Sequence, residues 1–271
     1  MIEKACPFPR HIAVPSCVIP AHIPENAVFL SGKTEEVGLC FFQSEPCLAY
    51  GDEALPPSLA ELPLAWHVHL PLDLTWEGDG SREAEICCRL LDKIRFLAPR
   101  CAVLHPPFPK QGADAGRRGR LLADFARRWR EAGNIPLLIE NTPECDLSDM
   151  AEALYEADCG VCLDIGHLLG SGLCDMEQGL LDRVRLIHLN APGTGGRHLP
   201  LTCLTPAMRA VTARLLHRVP KQARRMLELF SWSHVEDSVP VLLQLEEEQQ
   251  TDAAPYGKGE RDDTKKYRTI A

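Results

Sequence analysis

Six successive apolar runs in this chain end in histidine or carboxylate. They are Trp66-His67-Val68-His69-Leu70, Val103-Leu104-His105, Leu138-Ile139-Glu140-Asn141, Cys162-Leu163-Asp164-Ile165-Gly166-His167, Ile187-His188-Leu189-Asn190 and Met226-Leu227-Glu228. A further histidine, His198, lies in the loop after the fifth run. A lone histidine at a strand end is usually a hydrogen-bonded core group. A series of six is different, because carboxylates and imidazoles converging without compensation cost several kcal/mol each. A divalent cation offsets that repulsion, and mixed histidine and carboxylate ligands suit zinc or manganese. Asp164 and His167 are separated by two residues, with Gly166 easing the turn, so one strand end offers two ligands. Asn141 follows Glu140 as a hydrogen-bonding partner for a ligand or a substrate. His67 and His69 share a strand face by the two-residue period. His69 is nearer the strand end and is the better ligand; His67 reads as a satisfied interior residue.

The elements that must hold these residues alternate. Strands are expected at 11–19, 37–42, 65–70, 101–105, 136–140, 161–164, 185–189 and 225–230. Helices are expected near 82–97, 118–132, 148–157, 175–183, 205–217 and 235–249. Strands separated by crossover helices imply a parallel sheet, and eight of them in ~250 residues imply a single TIM-type (β/α)8 barrel. The first two connections carry Pro20, Pro24, Pro56 and Pro57, so helices there should be short or absent. The barrel is expected to occupy residues 1–250, with a flexible polar tail over 251–271. Three long connections, 71–81, 106–117 and 191–204, follow strand ends and belong at the C-terminal face, where barrel sites are built.

Composition removes other classes. The chain is 45% apolar, as a soluble protein with a full core should be, and no apolar run reaches the ~20 residues of a bilayer span. Pro7 and Pro9 interrupt the place where a signal peptide would need an apolar core, so a cytoplasmic location is expected. The 12 cysteines fall mostly inside apolar runs, as at Cys40, Cys101 and Cys162, and read as reduced core thiols. Cys159 and Cys162 form a lone C-x-x-C without the second pair of a zinc knuckle. The net charge is −9, the wrong sign for a protein living on phosphate backbones, so no nucleic-acid partner is expected. Arg117, Arg118, Arg120, Arg127, Arg128 and Arg130 form the one dense basic cluster and read as a solvated helix face. There is no G-x-G-x-x-G, Walker loop or G-x-S-x-G elbow. Gly193-Thr194-Gly195-Gly196 lacks the Lys-Ser/Thr of a P-loop and reads as the loop that delivers His198.

Together these phrases resemble the xylose-isomerase-like barrels, and within them the branch containing the zinc-dependent AP endonucleases of family 2. The matching phrases are VLHP at His105, LLIENT at Glu140, VCLDIGH at Asp164 and His167, IHLN at His188, Arg197-His198, and LEL at Glu228. They sample about two-thirds of the chain. The resemblance implies metal roles for His69, His105, Glu140, Asp164, His167, His188, His198 and Glu228, with Glu140 bridging two ions. It departs at one place: Gly196 stands where the endonucleases have an aspartate two residues before the histidine of their D-R-H motif. Two or three ions are therefore expected. A narrower likeness, to the cobamide-remodelling phosphodiesterases, rests on His69-Leu70-Pro71-Leu72-Asp73-Leu74, VCLDIGHLLGSG and Ser16-Cys17-Val18-Ile19-Pro20. It implies hydrolysis of the lower nucleotide-loop phosphodiester of a corrinoid to a cobinamide-type product. Glu140 would be the catalytic residue, with Asp73, Asn141, Asn190 and Arg197 as substrate contacts. Asp164-Ile165-Gly166-His167 is not the D-x-H-x-x-G motif that places histidine on cobalt, so a corrinoid would be substrate, not cofactor. The rival activity is a single-metal sugar isomerase using Glu140, Asp164, His188 and Glu228; a non-catalytic corrinoid- or metal-binding barrel is the third reading.

Overall fold

A computed structural model of the chain describes residues 8–9, 11–108, 112, 114–133 and 135–251. Of the tail expected over 251–271, Thr251 ends the last helix and residues 252–271 lie outside the described residues. Seven parallel strands follow one another in order: β1 (Val14–Pro15), β2 (Glu36–Cys40), β3 (Ala65–His69), β4 (Ala102–Leu104), β5 (Leu137–Glu140), β6 (Gly160–Asp164) and β7 (Val184–Leu189). A two-stranded hairpin, β8 (Ala191–Pro192) with β9 (His198–Leu199), interrupts the series. The eighth barrel strand, β10 (Arg224–Leu227), then pairs with β7. The barrel closes through Ala13, whose N–H donates to the Arg225 carbonyl and whose carbonyl accepts from Leu227 N–H.

Strand periodicity sorts the core into two layers. Val37, Leu39, Val68, Leu104, Ile139, Val161, Leu163 and Ile187 face outward and pack under the helices in the main cluster. Ala13, Cys101, Val103, Leu138, Cys162, Leu186 and Met226 fill the barrel axis as a separate, smaller cluster. Strands buried on both faces have no polar alternation, which is why they read as short continuous apolar runs. The interior cluster is sandwiched between polar groups. His67, Glu36 and Arg224 close its N-terminal end, and the strand-end acids and histidines lie above it.

The helices are α1 (Ile23–Leu30), α2 (Ser44–Leu48), α3 (Ser81–Ile94), α4 (Ala115–Ala132), α5 (Ala151–Glu156), α6 (Ile165–Gly170), α7 (Gln178–Leu181), α8 (Pro206–Arg218) and α9 (Trp232–Thr251). As the prolines require, α1 and α2 are short. In α3, Ala84, Cys87, Leu91 and Ile94 repeat at helical spacing and are buried. Asp114 and Thr205 cap α4 and α8 by accepting from Arg117 N and Met208 N. Strand one is far shorter than the expected 11–19, because Pro15 offers no N–H to extend the ladder and the chain turns at Ser16. The loop that follows is held by the buried Asn26 side chain, which accepts from Ile19 N and donates to the Ile19, Ala21 and His22 carbonyls. The strand expected at 225–230 ends at Leu227, leaving Glu228 just beyond it. The basic cluster lies on α4, and three of its six arginines pair with acids: Arg118 with Asp149, Arg127 with Glu131, and Arg128 with Asp79. Cys159 packs in the outer cluster and Cys162 in the inner one, so the C-x-x-C does not form a chelate. Among the described residues, no helix is long and apolar enough to cross a membrane.

Candidate metal centre

All eight expected ligands converge at the C-terminal mouth of the barrel. Glu140, on the last residue of β5, is at the middle. Its Oε2 lies 2.9 Å from His69 Nε2 and 3.6 Å from His105 Nε2; its Oε1 lies 3.1 Å from His188 Nδ1 and 3.7 Å from His167 Nδ1. Each carboxylate oxygen thus faces two imidazoles. Glu228 Oε2 is 3.0 Å from His188 Nδ1 and 3.4 Å from His198 Nδ1. The donors form overlapping sets with ligand atoms within 4.8 Å of one another: His69-His105-Glu140, Asp164-His167-His198, and Glu140-Asp164-His188-Glu228.

The local sequence explains how these side chains are held. His69 Nδ1–H donates to the Leu70 carbonyl at 2.8 Å, which leaves Nε2 to face Glu140. His198 sits on the β8–β9 hairpin, opposite Pro192, and its Nδ1 meets the Glu228 carbonyl at 3.0 Å. Asp164 caps α6 through His167 N at 2.5 Å, so the short helix points His167 back over the strand that carries Asp164. Asn190 Nδ2 donates to Asp164 Oδ2 at 2.9 Å. Asn141 exchanges two bonds of 2.8 Å with the Asp164 backbone. Gly166 does more than ease the turn: a Cβ there would overlap Asn190 Oδ1, so only glycine admits the asparagine. The other substrate candidates lie outside the cluster. Asp73 accepts from Ser44 N and Ser44 Oγ at the start of α2, and the exposed Arg197 folds onto Thr194 of its own loop. Gly196 has φ +75°, a left-handed conformation that a side chain adopts only at a cost. His67 is an interior residue, as its spacing suggested, with Nδ1 on Glu36 Oε1 at 2.7 Å.

The electrostatics are those of buried acids among imidazoles. Glu140 and Asp164 are 0% exposed and Glu228 is 4% exposed. Burial pushes Glu140 up, but His188 and His69 outweigh it and hold the carboxyl well below the usual range. Burial likewise raises Glu228, and His188 brings it down to about 2. Asp164 goes the other way: burial, then the charges of Glu228 and Glu140, push it up to about 6 against the pull of His167. Burial holds His105 down, to about 4. For His188 burial is outweighed by Cys162, Glu228 and Glu140, and its imidazole is pushed well up.

This donor set fits a divalent cation. His188 Nε2 and Glu228 Oε2 are buried without a hydrogen-bond partner, although Oε2 is in ion-pair range of His188. Unpartnered buried polar atoms of this kind call for a bound water or ion. Spacing alone missed Cys162, which completes a further set with Glu140 and His188; it lies two residues before Asp164 and so faces inward with it. Sequence spacing also missed the aromatic rim. Phe230 stacks on His198 at 5.4 Å and meets Phe42 edge-on at 5.7 Å.

No family model matches the chain, and no curated protein matches it by sequence. Solved structures do. A D-tagatose 3-epimerase-like protein superposes with a TM-score of 0.67 at 16% identity, covering 90% of this chain and 99% of that one. Endonuclease IV from Thermus thermophilus gives 0.63 at 18% identity, covering 89% and 100%. The IolI protein with a binding zinc atom gives 0.58 at 12% identity, covering 89% and 96%. What this chain shares with these proteins is the fold: eight parallel strands in a barrel ringed by helices, the TIM-barrel architecture.

Proposed function

We propose that this barrel is a metal-dependent phosphodiesterase acting on the lower nucleotide loop of cobamides, releasing a cobinamide-type corrinoid. The carrying observation is the surplus of donors. A single ion needs about four ligands, which Glu140, Asp164, His188 and Glu228 supply among themselves. His69, His105, His167 and His198 crowd the same mouth and are unnecessary for one ion. Eight donors, with the two oxygens of Glu140 facing different histidine pairs, suit two or three ions, zinc first and manganese second. The corrinoid is argued from the phrases around His69, Asp164 and Cys17, together with the acidic balance of the chain.

Divalent ions held here would supply Lewis-acid activation of a phosphodiester and of the attacking water. The protein's own part is positional. Glu140 orients the water from the centre of the cluster, and Asn190 and Asn141 fix Asp164. A second reading, a single-metal sugar isomerase, is favoured by the quartet Glu140-Asp164-His188-Glu228 and by the epimerase-like neighbour. The two part on stoichiometry and product. Elemental analysis of the purified protein should return two or three ions per chain, and incubation with cobalamin should release cobinamide-type product on chromatography. Glu140→Gln that still holds metal should lose at least about 100-fold in kcat. One ion per chain with ketose epimerisation would replace the phosphodiesterase by the isomerase, and wild-type turnover by metal-loaded Glu140→Gln would remove the role given to Glu140.

A further inference from the structure

Among the described residues, seven large apolar side chains are exposed, and four of them stand on the mouth loops. Phe42 follows β2, Leu72 follows β3, Phe108 follows β4 and Phe230 follows β10. Solvation disfavours such a grouping unless something covers it. Between the loops after β2 and β3 lies a recess of roughly 570 Å³, within the range of small-molecule sites. Phe42, Pro46, Tyr50 and Leu72 give it apolar walls, and Gln43 and Asp73 give it polar edges. No lysine, arginine or histidine among the described residues lines it, while the Asp73 carboxylate does, so it offers no positive charge to a phosphate.

The recess is tied to the metal centre by contact. Phe42 is its shared wall: it meets Phe230 edge-on, and Phe230 stacks on His198. On the other side, Cys40 at the end of β2 lines the recess and is in register with His69. A group entering from the centre therefore crosses one aromatic pair and arrives between flat apolar walls. Leu72 N donates to the Phe42 carbonyl at 3.2 Å, and Asp73 holds the start of α2, so the loops after β2 and β3 are tied to each other.

We propose that this recess is the subsite for a flat, uncharged heteroaromatic ring of the substrate, with Phe42 and Leu72 as its specificity-determining walls. It rests on the phosphodiesterase reading in one respect: there the ring is the lower base of the cobamide. Aromatic and apolar walls take the ring faces, while Gln43 and Asp73 can meet ring nitrogen or hydroxyl groups at the edge. The phosphodiester, excluded from the recess by charge, stays at the metal centre.

The test uses Phe42→Ala and Leu72→Ala, both at exposed positions, with metal content and Tm confirming that each variant is folded and loaded. For a benzimidazole-containing cobamide, each should raise KM about tenfold with kcat changed little, the worth of one lost stacking wall. The ratio of kcat/KM between benzimidazole and phenolic lower bases should move toward one. Free 5,6-dimethylbenzimidazole, followed by its own fluorescence, should bind wild type and bind Phe42→Ala about tenfold more weakly. If cobamides are cleaved but KM, base preference and dimethylbenzimidazole binding are unchanged in both variants, the recess is not the base subsite and the phosphodiesterase reading stands. If no cobamide is cleaved yet dimethylbenzimidazole binds in a Phe42-dependent way, the subsite stands and the phosphodiesterase reading falls. Absence of both turnover and binding overturns both.

Discussion

At the scale of residues, the centre is organised around Asp164 as much as around Glu140. Burial and the charges of Glu228 and Glu140 raise the Asp164 carboxyl, and its two oxygens accept from His167 N and Asn190 Nδ2. Asn190 and Gly166 work as a pair, since the asparagine occupies the space a Cβ would take. Partners that orient a ligand typically contribute a factor of ~10–100 in metal affinity. Asn190→Ala should therefore weaken metal binding by about 10–100-fold in chelator competition, with little change in fold by circular dichroism. Metal affinity unchanged in that variant would show that Asp164 needs no such support.

At the scale of elements, the strands are tied at their opposite ends by different chemistry. The N-terminal end is closed by Glu36 of β2, which meets His67 of β3 and Arg224 of β10 and lies 3.3 Å from Arg100. Burial raises the Glu36 carboxyl, but His67 and the two arginines outweigh it and leave it below its ordinary value. Burial also holds His67 below its ordinary value, despite Glu36. The signs agree. A depressed carboxylate contributes stability above its unfolded pKa and loses it as pH falls through the folded one; a depressed histidine resists protonation and is likewise destabilised by acid. The contribution of the Glu36–His67 pair should fall as the pH drops below about 6.5, the ordinary histidine value, and again below about 4.3, the ordinary glutamate value. Glu36→Gln should cost about 2 kcal/mol at neutral pH by denaturant unfolding. Its deficit should shrink toward about pH 3, below the ordinary glutamate value, and a deficit constant with pH would mean that the carboxylate charge is not what ties these strands. The elements themselves were legible where periodicity was strong: α3, α4, α8 and the strands from β3 to β7 lie where spacing put them. The short α6 and the β8–β9 hairpin were not, because each is stabilised by a partner far away in sequence or across a turn, Asp164 with Asn190 for one and Glu228 with His198 for the other.

For the whole molecule, metal held by the eight donors at one mouth would make folding and metal binding parts of one equilibrium. Three buried carboxylates within reach of one another are relieved by histidine protons or by cations, so an ion bound to the native state alone adds to its stability. Stripping the protein with chelator should lower Tm by about 5–10 °C, the effect of metal held at ~100 times its dissociation constant in a chain this long. Re-addition of zinc or manganese should restore it. Binding should also release protons and, as the pH falls, begin to weaken already above about pH 6.5, the ordinary histidine value, because His188, whose proton its acid neighbours hold, must be neutral to ligate. A Tm indifferent to chelator, with no metal bound in untreated protein, would leave the cluster a purely hydrogen-bonded network.

The chain by itself determined which residues could be ligands and that a barrel would carry them. Donor type and two-residue alternation are local properties, and alternating apolar runs and helices suffice for the architecture. Only the tertiary structure decided which donors meet. Pairing of β10 with β7 brings Glu228 beside His188, the hairpin turns His198 back over the mouth, and Cys159 and Cys162 fall in different core clusters. It decided, too, that Asn141 and Asn190 engage Asp164 and that Phe42 and Phe230 share a rim. Those outcomes depend on distances between residues far apart in sequence, which no spacing along the chain encodes. The metal centre was therefore readable as a list of donors, and its shape was not.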